Sequence, residues 1–233
     1  MNVIITGASR GLGKAIAEAF AEQGHDLCLT SLNPKRLYEA TEDLMNRFPS
    51  ASIRAKPFDL SRRQEAKEFG AWCLKAAVPD VLVNNAGSFA GSTVHEEEEG
   101  SLEEMIETNL YSAYYLTRAI VPEMKRRRSG HIFNMCSIAG LRAYPGGGSY
   151  SISKYALHGF SVNLREELKE FNIRVTTVFP GAAYTDSWAS TGLPRERFIE
   201  PADIARMIYQ ASQLSGAACV EDIIIRPQPG DIN

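Results

Sequence analysis

Residues 3–13 of the chain, VIITGASRGLG, join a β-branched apolar run to a glycine-rich turn, and an amphipathic pattern follows over residues 14–23. Glycines let a backbone turn sharply and approach a phosphate, and the amino end of the next helix offers free N–H groups and a positive dipole end. This strand, turn and helix at the first junction predict a dinucleotide-binding α/β fold.

The rest of the chain repeats the alternation of short apolar runs and amphipathic stretches. Strands are predicted at 3–6, 27–30, 52–58, 81–84, 131–135, 174–179 and 220–225, and helices at 14–23, 35–47, 62–77, 102–127, 149–171 and 202–214. Near-continuous apolar strands are typical of a parallel sheet covered on both faces. We therefore predict one domain over residues 1–233, a Rossmann-type doubly wound parallel sheet of about seven strands. Capping boxes at 61–64 and 101–104 predict two helix starts.

The composition is that of an ordinary soluble globular protein, with 44% hydrophobic residues, 23% charged residues and a net charge of −3. No basic excess suggests nucleic acid, no apolar run approaches the ~18 residues of a membrane span, and no signal peptide is recognised at the start. The four scattered cysteines predict reduced thiols without a metal site. We expect a cytoplasmic protein, and we expect the charge runs at 96–99 and 125–128 to be solvated surface.

The end of the second strand indicates which cofactor is bound. An NAD site usually places an acid there to bind the ribose hydroxyls, but this end reads Thr-Ser-Leu-Asn at 30–33. Arg10 in the glycine loop supplies a cation that can pair with a 2′-phosphate. The combination favours NADP over NAD.

Three polar residues predict proton-transfer chemistry. Tyr150 and Lys154 are four residues apart in a helical pattern, so they share a face, and an ammonium beside a phenol lowers its pKa. Such a pair can transfer a proton near neutral pH. Ser137 follows a strand at the sheet edge where ligands bind, and its hydroxyl can orient a carbonyl oxygen. It lacks a G-x-S-x-G elbow, which argues against acyl-enzyme chemistry.

Taken together, these stretches resemble the short-chain dehydrogenase/reductase family, from the first strand to about Thr185. Residues 6–13 match its T-G-x-x-x-G-x-G loop and residues 84–87 its N-N-A-G motif. Asn109 lies where the family keeps an asparagine in a long helix, and Ser137 precedes Tyr150 and Lys154 at the family spacing. The segment from Pro180 to Thr185 resembles the loop over the nicotinamide.

The resemblance implies an NADPH-dependent oxidoreductase that reduces a ketone or aldehyde, 3-oxoacyl or another small carbonyl, to an alcohol. Tyr150 would donate the proton, Lys154 would lower its pKa and bind the nicotinamide ribose, Ser137 would hold the substrate oxygen, and Asn109 would help to hold a water. The residues expected to bind NADP(H) are Gly7, Ser9, Arg10, Gly11, Leu12, Gly13, Ser31, Asp59, Leu60, Asn85, Ala86, Gly87, Tyr150, Lys154, Pro180, Gly181, Ala183 and Thr185. Members of the family are commonly homotetramers or homodimers.

The chain also departs from the family pattern. Cys136 stands where many members have Ser, Ala183 where Val or Ile is usual, and the carboxyl-terminal segment lacks the D-G-G of 3-oxoacyl carrier-protein reductases. Residues 89–94, 141–148 and 185–198 are expected to shape the substrate pocket. Two alternatives stay open, a non-catalytic NADP-binding regulatory protein and an isomerase or dehydratase that uses the nicotinamide transiently.

Overall fold

The computed structural model describes residues 1–186 and 191–232 and places seven strands in one parallel sheet. The strand order is β3-β2-β1-β4-β5-β6-β7. The strands are β1 Asn2–Thr6, β2 Asp26–Thr30, β3 Ile53–Ala55, β4 Val81–Asn84, β5 Gly130–Met135, β6 Ile173–Pro180 and β7 Asp222–Ile225. The predicted fold class is confirmed.

Helices cover both faces of this sheet. They are α1 Gly11–Ala21, α2 Pro34–Arg47, α3 Arg63–Leu74, α4 Ser101–Ile106, α5 Ser112–Arg127, α6 Gly148–Leu168 and α7 Pro201–Ser212, with a π-helical turn at Glu107–Tyr111. Successive strand residues point to opposite faces, so Ile5 packs with α1, α2 and α7, while Ile4 packs with α3, α5 and α6. The sheet is therefore buried on both sides, which explains the near-continuous apolar strands.

The structure differs from the sequence prediction at two local features. The strand predicted at 52–58 ends at Ala55, because Pro57 has no N–H to continue the ladder. Neither predicted capping box forms. The Ser61 hydroxyl donates to Asp59 Oδ1 at 2.6 Å instead of capping α3, and α4 begins at Ser101 itself after Gly100 in the left-handed region.

The strand order reverses between β1 and β4, which follow one another in the sheet but not in the chain. In open α/β sheets this point opens a crevice at the carboxyl ends of the strands, where ligands bind. Thr6, Asn84 and Met135 end β1, β4 and β5 at this edge. In the described part of the chain, no helix has the length and apolar character needed to cross a membrane.

We expect the free energy of unfolding to depend on pH because of His131, which lies in the middle of this sheet. Its Nε2 lies 2.7 Å from Thr176 Oγ1, and burial, with a smaller effect of Arg174, lowers its pKa to about 3. In the unfolded chain the His131 imidazole binds a proton near pH 6.5, whereas in the folded protein it stays neutral down to about pH 3. The free energy of unfolding is therefore unaffected by His131 above pH 6.5. Between pH 6.5 and pH 3 it falls as the pH falls, by up to about 1.4 kcal/mol per pH unit.

Urea unfolding at pH 7 and at pH 4.5 checks this expectation with wild type and His131→Gln. The Gln variant should lose less stability between the two pH values, because its amide does not titrate. Equal losses in the two proteins would show that His131 does not control this part of the acid transition.

Candidate active site

The glycine loop after β1 forms a tight cradle at the start of α1. Gly7 and Gly11 have φ of 64° and 53°, a region that favours glycine. A Cβ on Gly13 would overlap the Gly7 carbonyl oxygen and lie 2.5 Å from Asn85 Nδ2. No side chain caps α1 at Arg10, so the N–H groups of its first turn face the cradle. These features fit a pyrophosphate, with Leu12 in the same turn.

Thr6 joins the glycine loop to the segment after β4, a role that the sequence analysis missed. Its Oγ1 accepts hydrogen bonds from the backbone N of Asn85 at 2.9 Å and of Ala86 at 2.8 Å. Asn85 Nδ2 in turn donates to the carbonyl oxygens of Thr6 and Gly7. The two motifs therefore form one rigid floor, and the sequence signals for Thr6 are its place at the end of a strand and at the start of the glycine-rich motif.

Residues expected at the 2′-phosphate lie together at the ends of β1 and β2. Ser31 Oγ donates to Ser9 Oγ at 2.8 Å, and Thr30 Oγ1 is buried without a hydrogen-bond partner among the described residues. Arg10 Nη1 lies 2.6 Å from Asp186 Oδ2, and both side chains are more than half exposed, at 55% and 68%. Exposed ion pairs contribute little stability, so a phosphate can compete for Arg10.

Asp59 and Leu60, expected near the adenine, lie in the turn before α3. Burial opposes ionisation of Asp59, but hydrogen bonds from Ser61 and Arg62 outweigh it and lower the pKa of the carboxyl. The Leu60 side chain is buried in the apolar cluster beneath the sheet. Contact of either residue with the adenine stays a prediction, and for Leu60 the backbone is the group available for it.

Tyr150, Lys154 and Ser137 are brought together at the carboxyl end of β5. Tyr150 lies in the first turn of α6, and Lys154 Nζ is 5.7 Å from the centroid of its ring. The ammonium donates to the Met135 carbonyl oxygen at 2.9 Å. Ser137 Oγ accepts from the Ala139 backbone N at 3.2 Å, which fixes the serine at the start of a short 3₁₀ turn.

The pKa of Tyr150 differs from the sequence expectation, which was that Lys154 lowers it. Burial raises the pKa of Tyr150 to about 12, although a hydrogen bond with Ser137 lowers it, and burial lowers the pKa of Lys154. Desolvation is the largest cause of both shifts, because burial disfavours the charged form of each group. The phenol is protonated at neutral pH, the form required of a proton donor.

Asn109 lies in the π-helical turn between α4 and α5, with its side chain directed inward. Its Oδ1 accepts from Ser88 N at 2.8 Å, and its Nδ2 donates to Ser88 O at 3.1 Å and to Ser153 Oγ at 2.9 Å. Ser153 Oγ donates to Tyr150 O at 2.7 Å. A Cβ on Gly87 would lie 2.8 Å from Asn109 Oδ1 and 3.6 Å from Lys154 Nζ, so Asn109 and Lys154 approach each other across this glycine. Ser88 and Ser153 were not predicted.

The segment after β6 returns toward the glycine loop. Gly181 N, after Pro180, donates to Ile225 O at 2.8 Å, and Ala183 is buried and pairs with Ile199. A Cβ on Gly11 would lie 3.3 Å from Thr185 Cγ2, which places Thr185 beside the phosphate cradle. Of the predicted pocket segment 185–198, residues 187–190 lie outside the described residues.

Aromatic side chains line the described part of the substrate side. The Phe89 ring meets the Tyr150 ring edge to face, with centroids 4.9 Å apart, and Phe89 is half exposed. Tyr144 is close enough to Tyr150 to raise its pKa, and burial raises the pKa of Tyr144 itself. These two residues belong to the predicted pocket segments 89–94 and 141–148. Of the two, Phe89 gives the space next to the phenol an apolar, aromatic side.

Known proteins resemble this chain over nearly its whole length. The sequence model of the short chain dehydrogenase family matches residues 1–195. An uncharacterized oxidoreductase of Staphylococcus saprophyticus is 32% identical over 225 residues, 96% of each chain. Among solved structures, an alcohol dehydrogenase from the archaeon Thermococcus sibiricus complexed with 5-hydroxy-NADP superposes with a TM-score of 0.91 at 28% identity, covering 100% of this chain and 98% of that one. L-sorbose reductase from Gluconobacter frateurii, complexed with NADPH and L-sorbose, superposes with a TM-score of 0.88 at 26% identity. The match covers 97% of this chain and 95% of the reductase chain.

Proposed function

The chain belongs to the short chain dehydrogenase family and is an NADP(H)-dependent oxidoreductase, and from this premise we propose that it reduces a small ketone or aldehyde to an alcohol. One observation carries the proposal: the protonated Tyr150 phenol lies beside Ser137 and Lys154 at the carboxyl edge of the sheet. The apolar Phe89 ring beside the phenol favours carbonyls with an apolar substituent.

Each residue of the site has a separate task in this proposal. The Ser137 hydroxyl holds the carbonyl oxygen, and the Tyr150 phenol gives that oxygen its proton. Bound NADPH supplies the hydride. The Lys154 ammonium, next to Tyr150 and inside a dry site, stabilises negative charge that develops on the phenol oxygen as the proton leaves. The phenolate then regains its proton from the Lys154 ammonium, and Asn109, fixed by Ser88 and Ser153, helps to hold the water that returns a proton to Lys154.

A panel of carbonyl compounds tests the proposed reaction. Purified protein should oxidise NADPH with at least one β-ketoester, diketone, aldehyde or keto sugar and yield the matching alcohol. Tight NADPH binding without turnover on the whole panel would favour a regulatory protein instead. Conversion of substrate without net consumption of NADPH would favour an isomerase or dehydratase.

Arg10→Ala is expected to weaken NADPH binding about tenfold or more and to change NADH binding little, because only NADPH has a 2′-phosphate. Fluorescence titration with both cofactors measures this. Asp186→Ala is the matched control, since it removes the partner that lies 2.6 Å from Arg10 but keeps the cation. That variant should bind NADPH at least as tightly as wild type. Equal weakening of both cofactors in Arg10→Ala would contradict the assignment.

We further expect homodimers or homotetramers and a cytoplasmic location. Light scattering at several protein concentrations measures the mass of the particle. Cell fractionation measures the location. A monomer of 25.7 kDa at every concentration would contradict the expected assembly.

A further inference from the structure

The run of four glutamates at 96–99, expected to be solvated surface, contains one residue that is tied to the catalytic helix. Glu97 Oε1 accepts from the Ser149 backbone N at 2.7 Å, and its Oε2 accepts from the Ser149 hydroxyl. Ser149 is the residue directly before Tyr150. A carboxylate 52 residues earlier in the chain therefore binds the first turn of α6.

The start of α6 needs such a partner. Its N-cap residue is Gly147, which has no side chain to receive the free N–H groups of the first turn. The Glu97 carboxylate accepts one of these N–H groups, and its negative charge lies at the positive end of the helix dipole. The hydrogen bonds from Ser149 lower the pKa of Glu97, so it is ionised at neutral pH.

The loop between β4 and α4 contacts the catalytic residues and the start of α6 at four positions, Ser88, Phe89, Ser92 and Glu97. At its start, Asn109 binds both backbone groups of Ser88, and the Phe89 ring packs against Tyr150. At its end, Glu97 binds Ser149. Between them, a Cβ on Gly148 would lie 2.5 Å from the Ser92 carbonyl oxygen, so the loop lies directly on the start of α6.

We propose that Glu97 is a positioning residue for the reaction: its carboxylate holds the first turn of α6 and thereby fixes the Tyr150 phenol at the reacting carbonyl. The inference rests on the proposed function of Tyr150. A small displacement of an acid from its partner lowers the rate of proton transfer strongly, whereas most of the residues expected to bind NADPH lie outside α6, at the glycine loop and the ends of the other strands. Removal of Glu97 should therefore change kcat and leave NADPH binding unchanged.

Steady-state kinetics and NADPH titration of three variants test the proposal. Glu97→Ala should lower kcat about tenfold, with the Kd for NADPH within about twofold of wild type. Glu97→Gln keeps an oxygen that can accept from Ser149 N, so its loss should be smaller. Glu99→Gln is the matched control for charge and should equal wild type, because the exposed Glu99 side chain makes no hydrogen bond or ion pair among the described residues.

Hydrogen exchange followed by mass spectrometry separates this proposal from the proposed function. In Glu97→Ala, exchange should become faster in peptides covering residues 144–155 and stay unchanged in peptides covering residues 6–16. If the wild-type protein reduces no carbonyl compound, the proposed function is wrong. The hydrogen-exchange result by itself then shows whether Glu97 holds the first turn of α6. Wild-type kcat in Glu97→Ala, or faster exchange in both regions together with weaker NADPH binding, would overturn the role of Glu97.

Discussion

Tyr150→Phe is expected to lower kcat for carbonyl reduction by about a thousandfold while the Kd for NADPH stays within about twofold of wild type. The substitution removes only the hydroxyl that donates the proton, and a positioned general acid contributes about 10²- to 10⁴-fold to a rate. The ring that packs against Phe89 at 4.9 Å is kept, so the pocket keeps its shape. Single-turnover and steady-state assays with NADPH measure the loss.

Tyr155→Phe is the matched control for this experiment. Tyr155 lies on the same helix, α6, but its side chain is exposed to solvent. Loss of its hydroxyl should therefore leave kcat and NADPH binding unchanged. Turnover in Tyr150→Phe at the wild-type rate would reject Tyr150 as the proton donor, even with an intact cofactor site.

We expect a second large effect from Gly13→Ala, which should raise the Kd for NADPH by about a hundredfold or more. A Cβ at this position would overlap the Gly7 carbonyl oxygen and crowd Asn85 Nδ2 at 2.5 Å. Both atoms belong to the rigid floor that Thr6 holds together, so the clash is relieved only by widening the phosphate cradle. Calorimetric titration with NADPH measures binding, and thermal unfolding measures the accompanying loss of stability.

Two other glycines show whether this effect comes from geometry. Gly159 lies in the exposed middle of α6 with no atom near its added Cβ, so Gly159→Ala should leave binding unchanged and stabilise the fold by about 0.5–1 kcal/mol. At Gly11 the nearest atom is a movable methyl of Thr185 at 3.3 Å, but φ is 53°. Gly11→Ala should therefore have an intermediate effect. Wild-type affinity in Gly13→Ala would mean that the cradle is not the pyrophosphate site.

Sequence patterns located the elements of the fold and the order of the motifs. The apolar runs predicted all seven strands to within a few residues, except that Pro57 shortened β3. The sequence predictions were wrong where a side chain can bind more than one partner. Ser61 binds Asp59 rather than capping α3, and the helix predicted at 102–127 contains a π-helical turn that directs Asn109 inward. Neither choice is encoded in the local pattern of apolar residues.

The carboxylate of Glu97 illustrates a different kind of failure. Within its own segment it is one of four equivalent glutamates, and only the packing of the loop onto α6 selects it. The sequence predicts that Lys154 lowers the pKa of Tyr150, and the structure raises it instead, for a related reason. A spacing of four residues places Lys154 on the same face as Tyr150, but burial of the phenol has the largest effect on the pKa of Tyr150 and raises it.

The sequence by itself determined the alternation of strands and helices and the glycine-rich turn, which are local features, because they follow from hydrophobic period and backbone freedom over short stretches. Its resemblance to the family gave Asn109, Ser137, Tyr150 and Lys154 as candidate catalytic residues. The tertiary structure decided that Thr6 binds the two motifs into one floor and that Glu97 holds the catalytic helix. It also decided that Tyr150 keeps its proton, since the phenol is desolvated only once distant segments pack around it.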